Sequence, residues 1–219
     1  MDLCVVVFLR VPEAGQVKTR LAEAVGDEEA ARIYRLMVGR VCRETRDVPG
    51  AVRCFCFTPP EQRAEVERWL IEDGLADRWR DRFLAQVSGD LGRRQAAALA
   101  WARMEGAEVS VLLGTDCIDV GRRHIEDAAA QVRRGRADLI FGPAEDGGYY
   151  LLAARGPHPG LFGGVRWGES SVLEDCLENA AALGLRCGLL GPLMDVDTGR
   201  DWQRVRGRLE SLEGDGRDS

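Results

Sequence analysis

The segment Arg10-Val-Pro-Glu-Ala-Gly15-Gln-Val-Lys18-Thr-Arg20-Leu21 gathers three cations around a glycine turn. Lys18 is the single lysine among 30 basic residues. A compact ammonium fits where a planar guanidinium does not, so one lysine in an arginine-rich chain marks this position. If a helix begins near Thr19, its backbone N–H groups, with Lys18 and Arg20, would hold a di- or triphosphate. Gly15 stands only three residues before Lys18, which excludes a Walker A loop. The lone glycine in the turn excludes a dinucleotide fingerprint. The alternative reading is a solvated basic loop.

Carboxylates recur in three further places. Asp116 follows Gly114-Thr115 at the end of an apolar run. A carboxylate there needs a cation or donors, and a hard divalent ion bridging phosphates would suit it; capping the next turn is the competing role. Asp119 reads as a helix-start residue. Glu145-Asp146-Gly147-Gly148-Tyr149-Tyr150 sets two carboxylates beside glycines that permit close approach of a ligand. The same residues also spell an Asp-Gly hairpin turn. Asp195-Val-Asp197 faces both carboxylates one way on an extended chain, where they could share a metal, unless Asp197 or Thr198 caps the next helix. His124 and His158 have no metal-ligand company. Trp69, Trp79 and Trp101 read as helix core or boundary, leaving Trp167 in a glycine-rich loop.

The elements that must position these groups alternate. The continuous β-branched run at 2–9 predicts a strand buried on both faces, 51–57 reads as a second strand, and 109–113 as another of the buried type. Shorter strands are expected near 86–89, 138–141, 149–154 and 186–190. Helical sequence is expected over 19–46, 61–72, 93–104, 122–133 and 170–183, with a closing helix after Asp197-Thr198. Such alternation predicts an α/β fold, a single-domain three-layer α/β/α sandwich with a mostly parallel mixed sheet. Residues 1–212 form that domain, and 213–219 a polar tail. Ligands bind beyond the carboxyl ends of strands in such sheets, which is where the loops 10–20, 114–119 and 143–148 leave.

The chain has 219 residues, long enough to bury a core without disulfides. Its formal charge of −6 argues against a general affinity for nucleic acid or anionic membrane. The apolar start 3–9 is too short to span a bilayer, and it follows Met1-Asp2 rather than a basic segment and is closed by Arg10, which makes a poor signal peptide. Seven cysteines, none in a CxxC pair, read as small hydrophobes in a reduced interior, with Cys54 and Cys56 on one strand face. The expectation is a cytoplasmic chain.

Taken in order, Leu9–Leu21, Gln86-Val-Ser-Gly-Asp-Leu-Gly92, Gly114-Thr-Asp116, Gly142-Pro-Ala-Glu-Asp-Gly-Gly-Tyr-Tyr-Leu151 and Asp195-Val-Asp-Thr198 resemble one family. It comprises the glycosyltransferase-A-like bacterial and archaeal proteins formerly classed as a domain of unknown function. They are often called arsenosugar-biosynthesis-type glycosyltransferases. The resemblance implies a nucleotide-diphospho-sugar transferase fold, kin to 2-phospholactate and molybdenum-cofactor guanylyltransferases. It implies that Arg10, Gly15, Lys18 and Arg20 hold nucleotide phosphates, and that Gln86 and Gly89 lie where base or ribose is read. Asp116 and Asp197 would hold Mg or Mn. Asp146 or Glu145 would orient or deprotonate an acceptor hydroxyl, with Gly147, Gly148, Tyr149 and Trp167 beside the transferred group. Where relatives read Gly-Ser-Asp-Ser-Pro, this chain reads Gly114-Thr-Asp-Cys-Ile118.

The partners implied are a nucleotide sugar or NTP and a small-molecule acceptor, with no nucleic acid and no membrane insertion; a homodimer is compatible. The leading expectation is a metal-dependent glycosyltransferase. The alternatives are a nucleotidyltransferase coupling an NTP to a phosphorylated small molecule, and an inactive nucleotide-binding protein.

Overall fold

Eight consecutive residues at the N-terminus, Leu3–Arg10, form β1, and all but two are buried. A strand this apolar is stable only with both faces covered, and the rest of the chain supplies those covers. The computed structural model describes residues 1–214, with side chains described to residue 209. Seven strands form one sheet in the order β3-β2-β1-β4-β6-β5-β7. They are β1, β2 (Ala51–Thr58), β3 (Arg82–Ala85), β4 (Val109–Leu113), β5 (Leu139–Pro143), β6 (Tyr149–Ala154) and β7 (Cys187–Leu189). Only β6 runs antiparallel to its neighbours β4 and β5; every other pairing is parallel.

The helices are α1 (Thr19–Val25), α2 (Asp27–Arg46), α3 (Arg63–Glu72), α4 (Leu91–Met104), α5 (Arg122–Arg133), α6 (Val172–Ala182) and α7 (Gly199–Gly214). One sheet face packs Val5, Val7 and Leu9 against Tyr34, Val38 and Val41 of α2, with α3 and α5 alongside. The other packs Cys4, Val6, Cys54 and Cys56 against Leu99 of α4 and Cys176 of α6. Six of the seven cysteines are buried and Cys187 is half-buried, and burial pushes the Cys4 and Cys56 thiols up to about 12. No described helix is long and apolar enough to cross a membrane.

Three expectations need correction. The helix expected over 19–46 is two helices, broken at Gly26, whose φ of 86° no helix accommodates. The strand expected at 86–89 lies earlier, at 82–85, because the Asp90 side chain accepts the Arg93 N–H at 2.8 Å and starts α4 at Leu91. Trp79 is 86% exposed in a turn rather than set in a helix core. The C-terminal helix continues to Gly214, and 215–219, most of the expected polar tail, lie outside the described residues.

Along the strand order the chain leaves β1 toward β2 in one direction and leaves β4 toward β5 in the other, although α2 and α5 cover the same sheet face. Neighbouring strands whose connections diverge open a crevice at their carboxyl ends. Here that crevice lies between β1 and β4.

Candidate functional site

The loop after β1 ends in a strained residue. Lys18 sits at φ 49°, ψ 46°, the one non-glycine residue with positive φ among those described. Such a conformation costs about 1–3 kcal/mol and persists only where surrounding contacts enforce it. The contacts are ionic. The Lys18 ammonium lies 2.5 Å from Asp116 Oδ1 and 2.7 Å from Asp197 Oδ1, with its side chain only 6% exposed. Burial alone would lower the Lys18 pKa, but the two carboxylates outweigh it and the net shift is upward. Arg20 takes the other Asp197 oxygen at 2.6 Å. One ammonium thus joins the loop after β1, the end of β4 and the segment before α7.

Local chemistry frees Asp197 for this role. Thr198, not Asp197, caps α7: its hydroxyl accepts from Asp201 N–H at 3.3 Å, while Asp201 accepts from Thr198 N–H at 2.9 Å. That reciprocal pair satisfies the helix start. Tyr34 supports the same junction from α2, its hydroxyl accepting the Arg10 N–H at 2.9 Å and lying 3.4 Å from Thr115 Oγ1.

Two cavities meet at this point. The first, of about 500 Å³, is lined by Arg10, Lys18, Arg20, Tyr34, Thr58 and Gln86, among others. The second, of about 350 Å³, is lined by Asp146, Gly148, Trp167, Glu169, Ser170 and Asp195, among others. They share Arg20, Gln95, Asp116, Tyr149, Tyr150 and Asp197, so they are halves of one crevice. The first half has the cations; the second has carboxylates.

Of the expected site residues, Arg10, Lys18, Arg20, Gln86, Asp116, Asp146, Gly148, Tyr149, Trp167 and Asp197 line this crevice. Glu145, Gly15, Gly89 and Gly147 line neither half. Glu145 is exposed and spends its N–H on Leu193 O at 3.0 Å. Gly147 is a packing glycine: a Cβ there would stand 2.0 Å from Ser170 O. Gly89 presents its carbonyl to Arg94 Nε at 3.0 Å. Gln86 lines the first half, but its amide is committed to Cys56 O at 2.9 Å and to Arg94 at 3.2 Å. The segment 144–148 is a hairpin turn as well as a wall, with Asp146 Oδ1 accepting the Gly148 N–H at 2.8 Å.

Sequence reasoning did not single out Gln95, Tyr34 or Glu169, and took Asp195 only as the partner of Asp197 in a carboxylate pair. Asp195 was signalled by its alternation with Asp197. Cys117 donates its thiol to it. Burial, then the charges of Asp146, Asp116 and Asp197, raise the Asp195 carboxyl to about 7.

Asp116 and Asp197 offer hard oxygens converging on one cation position, which suits Mg or Mn, and the Lys18 ammonium stands in that position. No three His, Cys, Asp or Glu side chains among the described residues group to hold a metal. Further ligands to such an ion would come from water or phosphate, as Mg often takes them.

Comparison with known proteins places the chain in a family and shows where its fold recurs. Residues 41–169 match the model of a family described as "uncharacterized protein conserved in bacteria", DUF2064, and the chain belongs to that family. No curated protein matches it. A crystal structure from Desulfovibrio desulfuricans G20, provisionally assigned as a nucleotide-diphospho-sugar transferase, is 28% identical. It superposes with a TM-score of 0.81 over 96% of this chain and 98% of that one. The fold is shared at 7% identity with 4-diphosphocytidyl-2C-methyl-D-erythritol synthase from Anaerococcus prevotii, TM-score 0.60, over 95% and 96% of the two chains. It is also shared at 13% with a CMP:2-keto-3-deoxy-manno-octonic acid synthetase complexed with CTP, TM-score 0.58, over 97% and 100%. The chain thus has the three-layer, mostly parallel sandwich expected of nucleotide-diphospho-sugar transferases.

Proposed function

We propose that this chain is a transferase acting on a nucleotide-activated substrate, and that the substrate is a nucleotide-diphospho-sugar. The observation that carries this reading is the division of one crevice at the β1/β4 switch point into a cationic half and a carboxylate half. The shared wall contains Asp116 and Asp197. A diphosphate fits the first half, where Arg10, Lys18 and Arg20 supply charge-assisted donors. The group to be transferred then lies at the shared wall, and its acceptor enters the second half.

In this reaction the acceptor oxygen bonds to the anomeric carbon as the bond from that carbon to the diphosphate oxygen breaks. The electron pair of the broken bond leaves with the diphosphate. Asp146 takes the acceptor's proton. Lys18 and Arg20 stabilise the negative charge that grows on the leaving group. Held by Asp116 and Asp197, Mg or Mn would supply further neutralisation of the diphosphate.

The test is thermal melting with UDP-, GDP-, ADP- and CMP-sugars and NTPs, each with and without Mn. A ligand at 100 times its dissociation constant stabilises by about 2.7 kcal/mol. For a chain of this length that raises the melting temperature by roughly 5–10 °C. A shift with one sugar nucleotide, lost in Asp116→Ala, is the expected result. Preference for an NTP would instead favour nucleotidyl transfer, and no shift with any nucleotide would overturn the reading.

A further inference from the structure

The carboxylate half of the crevice has a chemistry of its own. Five of its six charged lining side chains are Asp116, Asp146, Glu169, Asp195 and Asp197; the sixth is Arg20. Lys18 and Arg20 neutralise Asp116 and Asp197. Asp146, Glu169 and Asp195 form no ion pair among the described residues. Asp146 spends one oxygen on Gly148 N–H, and Asp195 faces the Cys117 thiol. A phosphate or carboxylate entering here would meet Asp146 and Glu169, two carboxylates without an ion-pair partner, in a partly enclosed space.

Two donors face the opposite need. Gln95 is only 7% exposed and lines both halves. Its carbonyl oxygen accepts from Tyr149 Oη at 2.6 Å, and its amide nitrogen, which is not fully buried, has no acceptor among the described residues. The indole N–H of Trp167, a residue that lines the same cavity, is buried without a partner. Buried donors are rarely left unpaired. An ammonium would satisfy the carboxylates but not these donors, and an anion the reverse. Hydroxyl groups both donate and accept, and satisfy both walls.

We infer that the second cavity is a binding subsite for an uncharged polyhydroxylated small molecule, and that phosphorylated or carboxylated analogues are rejected. Its volume, about 350 Å³, equals the space of roughly a dozen waters. This deepens the proposed function by naming the acceptor class, and rests on it only for the word acceptor. Occupancy of the cavity can be measured without any reaction.

The experiment is saturation-transfer NMR and calorimetry with matched probes. Glycerol, myo-inositol, glucose and mannose are set against glycerol 3-phosphate, inositol 1-phosphate, glucose 6-phosphate and mannose 6-phosphate. The cationic half is first filled with the nucleoside diphosphate found by melting. If none binds, Lys18→Met protein is used instead, so that phosphates are not captured there. At least one neutral probe should bind, with its phosphate ester weaker by at least about a hundredfold, as like-charge juxtaposition demands. Asp146→Asn/Glu169→Gln, altering two exposed side chains, should narrow that gap at least tenfold, and Gln95→Leu should weaken the neutral probe alone. Equal or tighter binding of a phosphate ester would overturn the inference. So would a gap that neutralising the wall leaves unchanged, or no binding by any neutral probe. A nucleotide that binds while phosphate esters win would sink the acceptor class and leave the donor reading standing.

Discussion

Two buried ion clusters stand in this molecule, and they differ in what they leave undone. Arg53 and Asp81 are 5% and 8% exposed and pair through two bonds, at 2.5 and 3.0 Å. Arg53 also donates to Cys42 O at 2.8 Å and to Leu75 O at 2.9 Å, and Asp81 accepts Asp77 N–H at 2.7 Å. Every strong donor is spent, and neither residue lines a described cavity. Lys18 is buried as deeply, yet it has three N–H donors and uses two on carboxylates, and Asp116 beside it is half exposed. The first cluster is closed and ties β2 to the segment before β3. The second is open to a crevice. Saturation, not burial, separates an ion pair that holds a fold from one that can exchange partners with a ligand.

The largest effect expected from breaking this contrast is on the closed pair. Asp81→Ala strands a buried guanidinium, and chemical denaturation should show a loss of about 3–5 kcal/mol. Nucleotide affinity of the folded protein should not change. Lys18→Met should do the opposite. Calorimetry should show nucleotide affinity falling about ten- to a hundredfold, the loss of one or more charge-assisted bonds of about 1.5–3 kcal/mol, with a smaller change in melting temperature.

The same variant sharpens the open cluster from another side. With the ammonium gone, Asp116 and Asp197 are free to take a divalent ion. Mn titrated against Lys18→Met should give a bound paramagnetic signal that Asp116→Asn abolishes, and the unmodified, nucleotide-free chain should bind Mn more weakly. Equal Mn binding by both would show that the ammonium and the ion do not compete.

A smaller effect follows from Asp195. Burial, with help from Asp146, Asp116 and Asp197, lifts its carboxyl from the ordinary 3.8 to about 7. Between these values the folded chain holds a proton that the unfolded chain has released, so this group's contribution to stability falls as pH rises from about 4 to 7 and then levels. Asp195→Asn removes that component. Denaturation curves of the two proteins should therefore diverge across this window and run parallel above it.

Much of this arrangement was legible in the residues. A β-branched run marked β1, and short, mostly apolar runs marked β2 and β4 although each holds one buried polar residue, Arg53 and Ser110. The break between α1 and α2 was less visible, although Gly26 and the acidic Asp27, Glu28 and Glu29 are a helix end and a helix start in sequence. Which residue caps α7 was decided by Thr198 and Asp201, whose spacing is that of a reciprocal cap. Lys18 was marked by being the only lysine. Gln95 and Tyr34 were not legible, because inside a helix they look like ordinary inward-facing residues. Their value comes from which strand end they face, and that is set by tertiary packing. Glu145 and Asp146 are adjacent carboxylates in sequence, and only the turn geometry turns one toward the crevice and the other to solvent.

Because the chain contains one lysine, labelling lysine with nitrogen-15 at Nζ gives a spectrum with one side-chain ammonium signal, that of Lys18. Titration with the sugar nucleotide selected by melting should move this signal saturably, with the same dissociation constant as calorimetry, as the ammonium gains phosphate oxygens. A nucleotide that binds while the Lys18 signal stays fixed would contradict the account, because the open ion cluster would then have no part in holding the phosphates.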